Sequence, residues 1–141
     1  MKRTALVGVL LALTALAIVG FQVADRAEAS VEGSVRRYAA AVTNSDLDAA
    51  MAEIAPDQRE RWTDWVQGQL GNVYDVRGIA VRSPSILERV GQRVPGGPRE
   101  VTTVMDVDRA YPDEFYQPST RTPVEQFDGR WYLAAPLLAE P

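Results

Sequence analysis

The chain contains no cysteine and no histidine, and its only lysine is Lys2. Without cysteine an exported protein carries no disulfide, and a lipid-modified cysteine anchor is excluded. Without histidine the commonest general base and the commonest transition-metal ligand are both missing. With no thiols either, the residues argue against zinc or copper, and any metal would have to be a hard, oxygen-bound ion. No basic block is present: past the leader the arginines are spread from Arg36 to Arg130, in a chain of formal net charge -4, which argues against nucleic-acid binding. No repeat, low-complexity tract or cofactor motif interrupts the sequence.

What is there begins with an instruction about place. From Thr4 to Ala24 the chain has no charged residue, and this run stands directly behind Lys2 and Arg3. As a helix rising about 1.5 Å per residue it covers the roughly 30 Å hydrocarbon core of a bilayer. Its length exceeds the roughly 7–15 apolar residues of a secretory signal and favours a retained helix, whereas Ala27-Glu28-Ala29 before Ser30 fits a signal-peptidase site. Both readings export the remainder of the chain, because Lys2 and Arg3 hold the N-terminus in the cytoplasm. The sequence therefore divides into a leader over 1–29, closed by the charged collar Asp25–Glu28, and a single extracytoplasmic domain over 30–141. The expected location is the cell membrane, single-pass with the domain outside, or secretion after cleavage near Ala29.

Past the leader, Val35, Tyr38, Ala39 and Val42 fall at i, i+3, i+4 and i+7, one face of a helix. Asn44-Ser45 interrupts it, and Ser45 with Asp48 reads as a capping box for a second helix that turns Leu47, Met51 and Ile54 inward and ends at Pro56. Asp57 to Leu70 predicts a third helix with Trp62, Trp65, Val66 and Leu70 on one face, closed at Gly71. From Val73 to Arg82 the period becomes two. Ile86 to Val94 alternates apolar with polar, Pro95-Gly96-Gly97-Pro98 makes a turn, and Val101 to Arg109 returns, which predicts a hairpin. Phe115 to Phe127 reads as one long strand whose Pro118 and Pro123 require an edge or bulge, and Asp128-Gly129 turns it into a last strand, Arg130 to Leu137. Helices first and an antiparallel meander afterwards indicate an α+β domain with helices packed on one curved antiparallel sheet.

The broken helix Val35 to Ile54, with its Asn44-Ser45-Asp46-Leu47-Asp48-Ala49-Ala50 junction, resembles the start of the nuclear transport factor 2-like, or cystatin-like, superfamily. The ending Val124-Glu125-Gln126-Phe127-Asp128-Gly129-Arg130-Trp131-Tyr132-Leu133 resembles its closing hairpin, and together the two cover most of 30–141. The resemblance implies a cone with a pocket between helices and sheet. It is shared by ketosteroid isomerase-like enzymes, dehydratases, dimeric binding modules and membrane-tethered scaffolds, so fold alone does not choose among them.

An isomerase of that kind needs a carboxylate base and hydrogen-bond donors inside the cone. Asp106 and Asp108 share a face with Thr102 and Val104, opposite Val101, Thr103, Met105 and Val107, so they point to solvent if the Val/Met face packs on the helices. Asp75 has an ambiguous face, since Val73, Ile79 and Val81 share its parity, and is the one acid retained as a candidate. Tyr38, Tyr74 and Tyr116 could donate hydrogen bonds, and Trp62 and Trp131 could wall a pocket, although core packing accounts for such tyrosines and tryptophans more simply. No acid-base set matches the isomerase pattern. The leading expectation is thus a non-enzymatic, membrane-tethered binding or scaffold domain engaging a protein partner or a small apolar ligand. A small lyase or isomerase using Asp75 or another pocket carboxylate is the alternative, and a homodimer formed face to face through the sheets is a third reading.

Overall fold

The apolar period of the first amphipathic stretch becomes the inner face of a helix, α1, over residues 29–43: Val31, Val35, Tyr38, Ala39 and Val42 are all buried. The computed structural model describes residues 26, 29–85, 87, 88, 90, 97–108 and 115–139, with backbone alone at 115 and 116. The leader expected over 1–29 lies outside the described residues except for Arg26 and Ala29, which are helical. Among the described residues no helix is long and apolar enough to cross a membrane.

The chain leaves α1 at Ser45, whose φ of 58° swings the backbone through a left-handed turn. That conformation is wrong for an N-cap, which needs extended dihedrals, so the cap moves one residue on from the expected Ser45/Asp48 box. Asp46, with φ -99° and ψ 94°, caps α2 (Leu47–Ala52) by accepting a hydrogen bond from the Ala49 amide at 3.0 Å. The backbone then extends, and Ile54 pairs in parallel with Leu133. The Leu133 amide donates to the Glu53 carbonyl at 3.0 Å and the Ala55 amide to the Leu133 carbonyl at 2.8 Å. Arg59 opens α3 (Arg59–Gln69) and reaches back to the Ile54 carbonyl at 3.1 Å, satisfying an acceptor left over where α2 stops. On α3 Val66 is buried, while Trp62 and Trp65 meet edge to face with centroids 6.5 Å apart. Gly71, at φ 86°, ends the helix and donates its amide to the Val42 carbonyl at 2.9 Å, joining α3 to the last turn of α1.

The sheet consists of β1 (Val73–Arg82), β2 (Glu100–Asp108), β3 (Phe115–Tyr116), β4 (Ser119–Phe127) and β5 (Arg130–Leu133). All pairs are antiparallel, in the order β1-β2-β4-β5 with β3 on β2, and the sheet curls strongly around the helices. The core is the meeting of α1 with Val101, Met105 and Val107 of β2, Val124 of β4 and Trp131 and Leu133 of β5. Asp128 and Gly129 both have positive φ, 50° and 79°, the two-residue turn whose twist matches a hairpin.

Two strand expectations are corrected. Of the strand expected over 86–94, the described residues Leu87, Glu88 and Val90 are helical and the others lie outside the described residues; β2 lies between β1 and β4. The cause is a reciprocal cap, in which the Ser85 amide donates to the Glu88 carboxylate at 2.7 Å and the Glu88 amide to the Ser85 hydroxyl at 3.2 Å. Ser-x-x-Glu starts a helix, and here it overrides the alternation that suggested a strand. The single strand expected over Phe115–Phe127 is broken at Gln117-Pro118. Pro123 falls where β4 stops pairing with β2 and begins pairing with β5, a junction at which the missing amide costs no ladder bond. β5 ends at Leu133, short of Leu137, and the following residues fold back so that Leu137 is buried.

Gly97 lies against the Trp131 ring: a Cβ there would stand 2.8 Å from the nearest ring atom, at a φ of 140° that side chains avoid. Gly97→Ala is therefore expected to lower stability by about 1–3 kcal/mol in urea unfolding, through overpacking and backbone strain together.

Candidate functional site

The hollow of the curled sheet is occupied by the protein's own side chains. Tyr38, Val101, Thr103, Met105 and Leu133 have no exposure to solvent. The Tyr38 hydroxyl is buried without a hydrogen-bond partner among the described residues. Burial, with Tyr74 close by, pushes that phenol far above its ordinary value, so it stays protonated. Tyr74 is also buried, and its hydroxyl donates to the Gln69 side chain at 3.2 Å. The Trp131 ring is nearly enclosed, and its carbonyl accepts the Ser34 hydroxyl at 3.0 Å. Trp62 packs on the core with the Arg61 guanidinium 4.7 Å from its ring centroid. The expectation for Tyr116 lies outside the described side chains.

Asp75 faces away from the core, on the outer face of the sheet. The register slips between Val76 and Gly78, so Tyr74 and Val76 point inward before this bulge and Ile79 and Val81 after it. Asp75 is left exposed and pairs with Arg77 at 2.9 Å. It lines, with Tyr74, Arg36 and Thr43, a shallow groove of about 320 Å³ between α1 and β1. Arg77 also holds Asp106 at 2.6 Å, whereas Asp108 is exposed. Among the described residues no group of three carboxylates converges as a metal site would.

The charged centre is elsewhere, on a residue that sequence reasoning passed over. Glu53, at the C-cap of α2, is buried and accepts the Arg37 guanidinium bidentately at 2.7 and 3.0 Å and the Arg130 guanidinium at 2.8 Å. Arg37 also donates to the Ser34 hydroxyl at 3.1 Å. Burial pushes the Glu53 carboxyl up, but the hydrogen bonds from Arg37 and Arg130, the Arg37 charge and the Ser34 hydroxyl outweigh it, so the group sits below its ordinary value and is ionised. The only hint in the sequence is a lone acid between Met51 and Ile54 just ahead of Pro56. Its partners lie 16 and 77 positions away and could not be paired by spacing.

Around this cluster runs a groove of about 820 Å³ between α1 and α2. Its floor is formed by Ala40, Ala41, Ala49 and Ala52, and its rim by Arg37 and Arg130. The geometry offers hydrogen-bonding edges on a flat apolar floor. It does not offer a base, because both oxygens of the carboxylate are engaged by guanidinium groups. No known protein family, curated protein or solved structure matches this chain.

This placement has two measurable outcomes. Glu53→Gln should cost about 1–3 kcal/mol at neutral pH, at the lower end because both arginines are half exposed and remain solvated. With its folded-state pKa depressed, Glu53 contributes this stability above its ordinary value of 4.5 and loses it as pH falls through the folded-state value. The urea midpoints of wild type and Glu53→Gln should accordingly converge in acid. Tyr38→Phe should leave stability unchanged or raise it by about 1 kcal/mol, because it removes a buried hydroxyl that has no partner.

Proposed function

We propose that this chain is a membrane-tethered extracytoplasmic domain that is not an enzyme and that engages a protein partner through the groove between α1 and α2. The observation that carries this reading is the filled hollow. A lyase or isomerase needs an open chamber with a carboxylate free to take a proton, and here the sheet closes on Tyr38, Met105 and Leu133. The same packing leaves little room for a small apolar ligand between helices and sheet. The alternative chemistry has no comparable support, since Asp75 faces outward against Arg77 and Glu53 is saturated by two arginines.

The tether rests on the uncharged run Thr4–Ala24 behind Lys2 and Arg3. For the family, we favour the nuclear transport factor 2-like superfamily. Its support is the succession of helices ahead of a curled antiparallel sheet, together with the Asp128-Gly129 hairpin before Trp131.

A photo-crosslinking residue at Ala40 or Ala49, both exposed on the groove floor, is the direct test in the native envelope. Discrete adducts are expected from these two positions and none from Arg121 on the outer face of β4. Adducts from Arg121 alone would overturn the groove as the docking face, and an adduct of twice the chain's mass from the groove would reassign it to self-association.

A further inference from the structure

The clamp on Glu53 is unbalanced in charge. Arg37 Nε and Arg130 Nη2 reach the same carboxylate oxygen, Oε1, at 2.7 and 2.8 Å, and Arg37 Nη2 takes Oε2 at 3.0 Å. Two guanidinium groups thus share one carboxylate. Among the described residues that line the groove the only other acid is Asp46, which caps the opposite end of α2 and accepts the Ala49 amide. The helix between them holds the two acids about 10 Å apart. The Arg37–Arg130 end is therefore left with an excess positive charge.

Donors remain there as well. Arg37 uses Nε and Nη2 on Glu53 and Ser34, and its Nη1 meets no acceptor among the described residues, nor do Nε and Nη1 of Arg130. Glycine at position 33, one turn back on the same face of α1, leaves that Nη1 edge uncovered: a Cβ there would stand 3.0 Å from it. Both arginine side chains are half exposed, at 54% and 45%. Two like charges drawn to one oxygen repel each other, and Glu53 already fixes both in place. A second carboxylate would relieve that repulsion and form charge-assisted bonds with little further ordering of either side chain.

The surroundings say what carries that carboxylate. The pair stands at one end of a trough floored by Ala40, Ala49 and Ala52, all exposed, where a polypeptide can lie close. At the far end Asn44 and Asp46 reverse the polarity. A site positive at one end and negative at the other fits a stretch of protein that bears an acid at one point and a cation or amide further on. It does not fit a uniformly anionic lipid surface.

We infer that the groove seats an acidic segment of the partner protein, with an aspartate or glutamate carboxylate completing the cluster of Arg37, Glu53 and Arg130. Arg37 and Arg130 bind, and Glu53 positions them. The inference rests on the docking reading of this groove and names the chemistry that it selects.

The test supplies the carboxylate from within the chain. Ala40 is exposed on α1 three residues beyond Arg37, so Ala40→Glu offers that guanidinium an internal partner, while Ala40→Gln adds the same bulk without charge. Neither substitution removes a member of the clamp. The full chain with each substitution, and with neither, carries a photo-crosslinking residue at Ala49 and is irradiated in the native envelope. Adducts are quantified, and the joined segment is identified by mass spectrometry. The unsubstituted chain and Ala40→Gln are expected to give the same protein adduct, on a segment containing Asp or Glu. Ala40→Glu is expected to lower its yield roughly fivefold or more. An undiminished adduct in Ala40→Glu, a loss shared equally by Ala40→Gln, or a joined segment without an acid overturns the carboxylate and leaves the groove as the docking face. No adduct in the unsubstituted chain overturns the docking reading together with it, and adducts to lipid alone overturn a protein occupant.

Discussion

The clamp of Glu53 by Arg37 and Arg130 is the constraint on which the rest of the architecture depends. It joins three pieces of chain that have no local reason to meet: α1, the end of α2 and the β4–β5 hairpin. The backbone repeats the connection through the bonds between Glu53, Ala55 and Leu133. Buried ion pairs add little net stability, because desolvation offsets most of their attraction. Their effect here is positional. A hydrophobic face alone would let α1 slide or rotate on the sheet, whereas a carboxylate gripped from two sides is satisfied in one arrangement.

That arrangement closes the hollow. With α1 held across β2 and β5, Tyr38 reaches the centre of the sheet and fills space that a ligand would otherwise use. Charged groups gather at its margins: Asp75 stands exposed beside Arg77; Asp106, expected to face solvent, is nearly buried beneath the same guanidinium; and Arg37 and Arg130 line the α1–α2 groove. The proposed role in docking grows out of this inversion, in which the inside is inert packing and the outside carries the recognisable chemistry.

Much of the fold was legible in local pattern. The burial of Val35, Tyr38, Ala39 and Val42 matches their helical spacing, β1 spans the residues where the period changes to two, and Asp128-Gly129 makes the turn that its dihedral needs dictate. Failure came where two local signals competed or where the deciding contact was remote. At 86–94 alternation pointed to a strand, while Ser85 and Glu88 supplied a helix start, and the cap prevailed. Asp75 could not be assigned a face because the bulge between Val76 and Gly78 changes the parity within a single strand. Glu53 was invisible as a centre because its partners are brought to it only by the complete tertiary fold.

The short bridge at Ile54 has a meaning beyond the clamp it flanks. It lays the link between α2 and α3 along the open side of β5, while the opposite border of the sheet is interrupted by the kink at Arg77, whose charge points away from the core. The β5 border is thereby shortened as a template for a passing extended chain, because the Leu133 amide and carbonyl are already taken by Glu53 and Ala55. Strand addition and the runaway stacking that threatens β-rich proteins are disfavoured on that side.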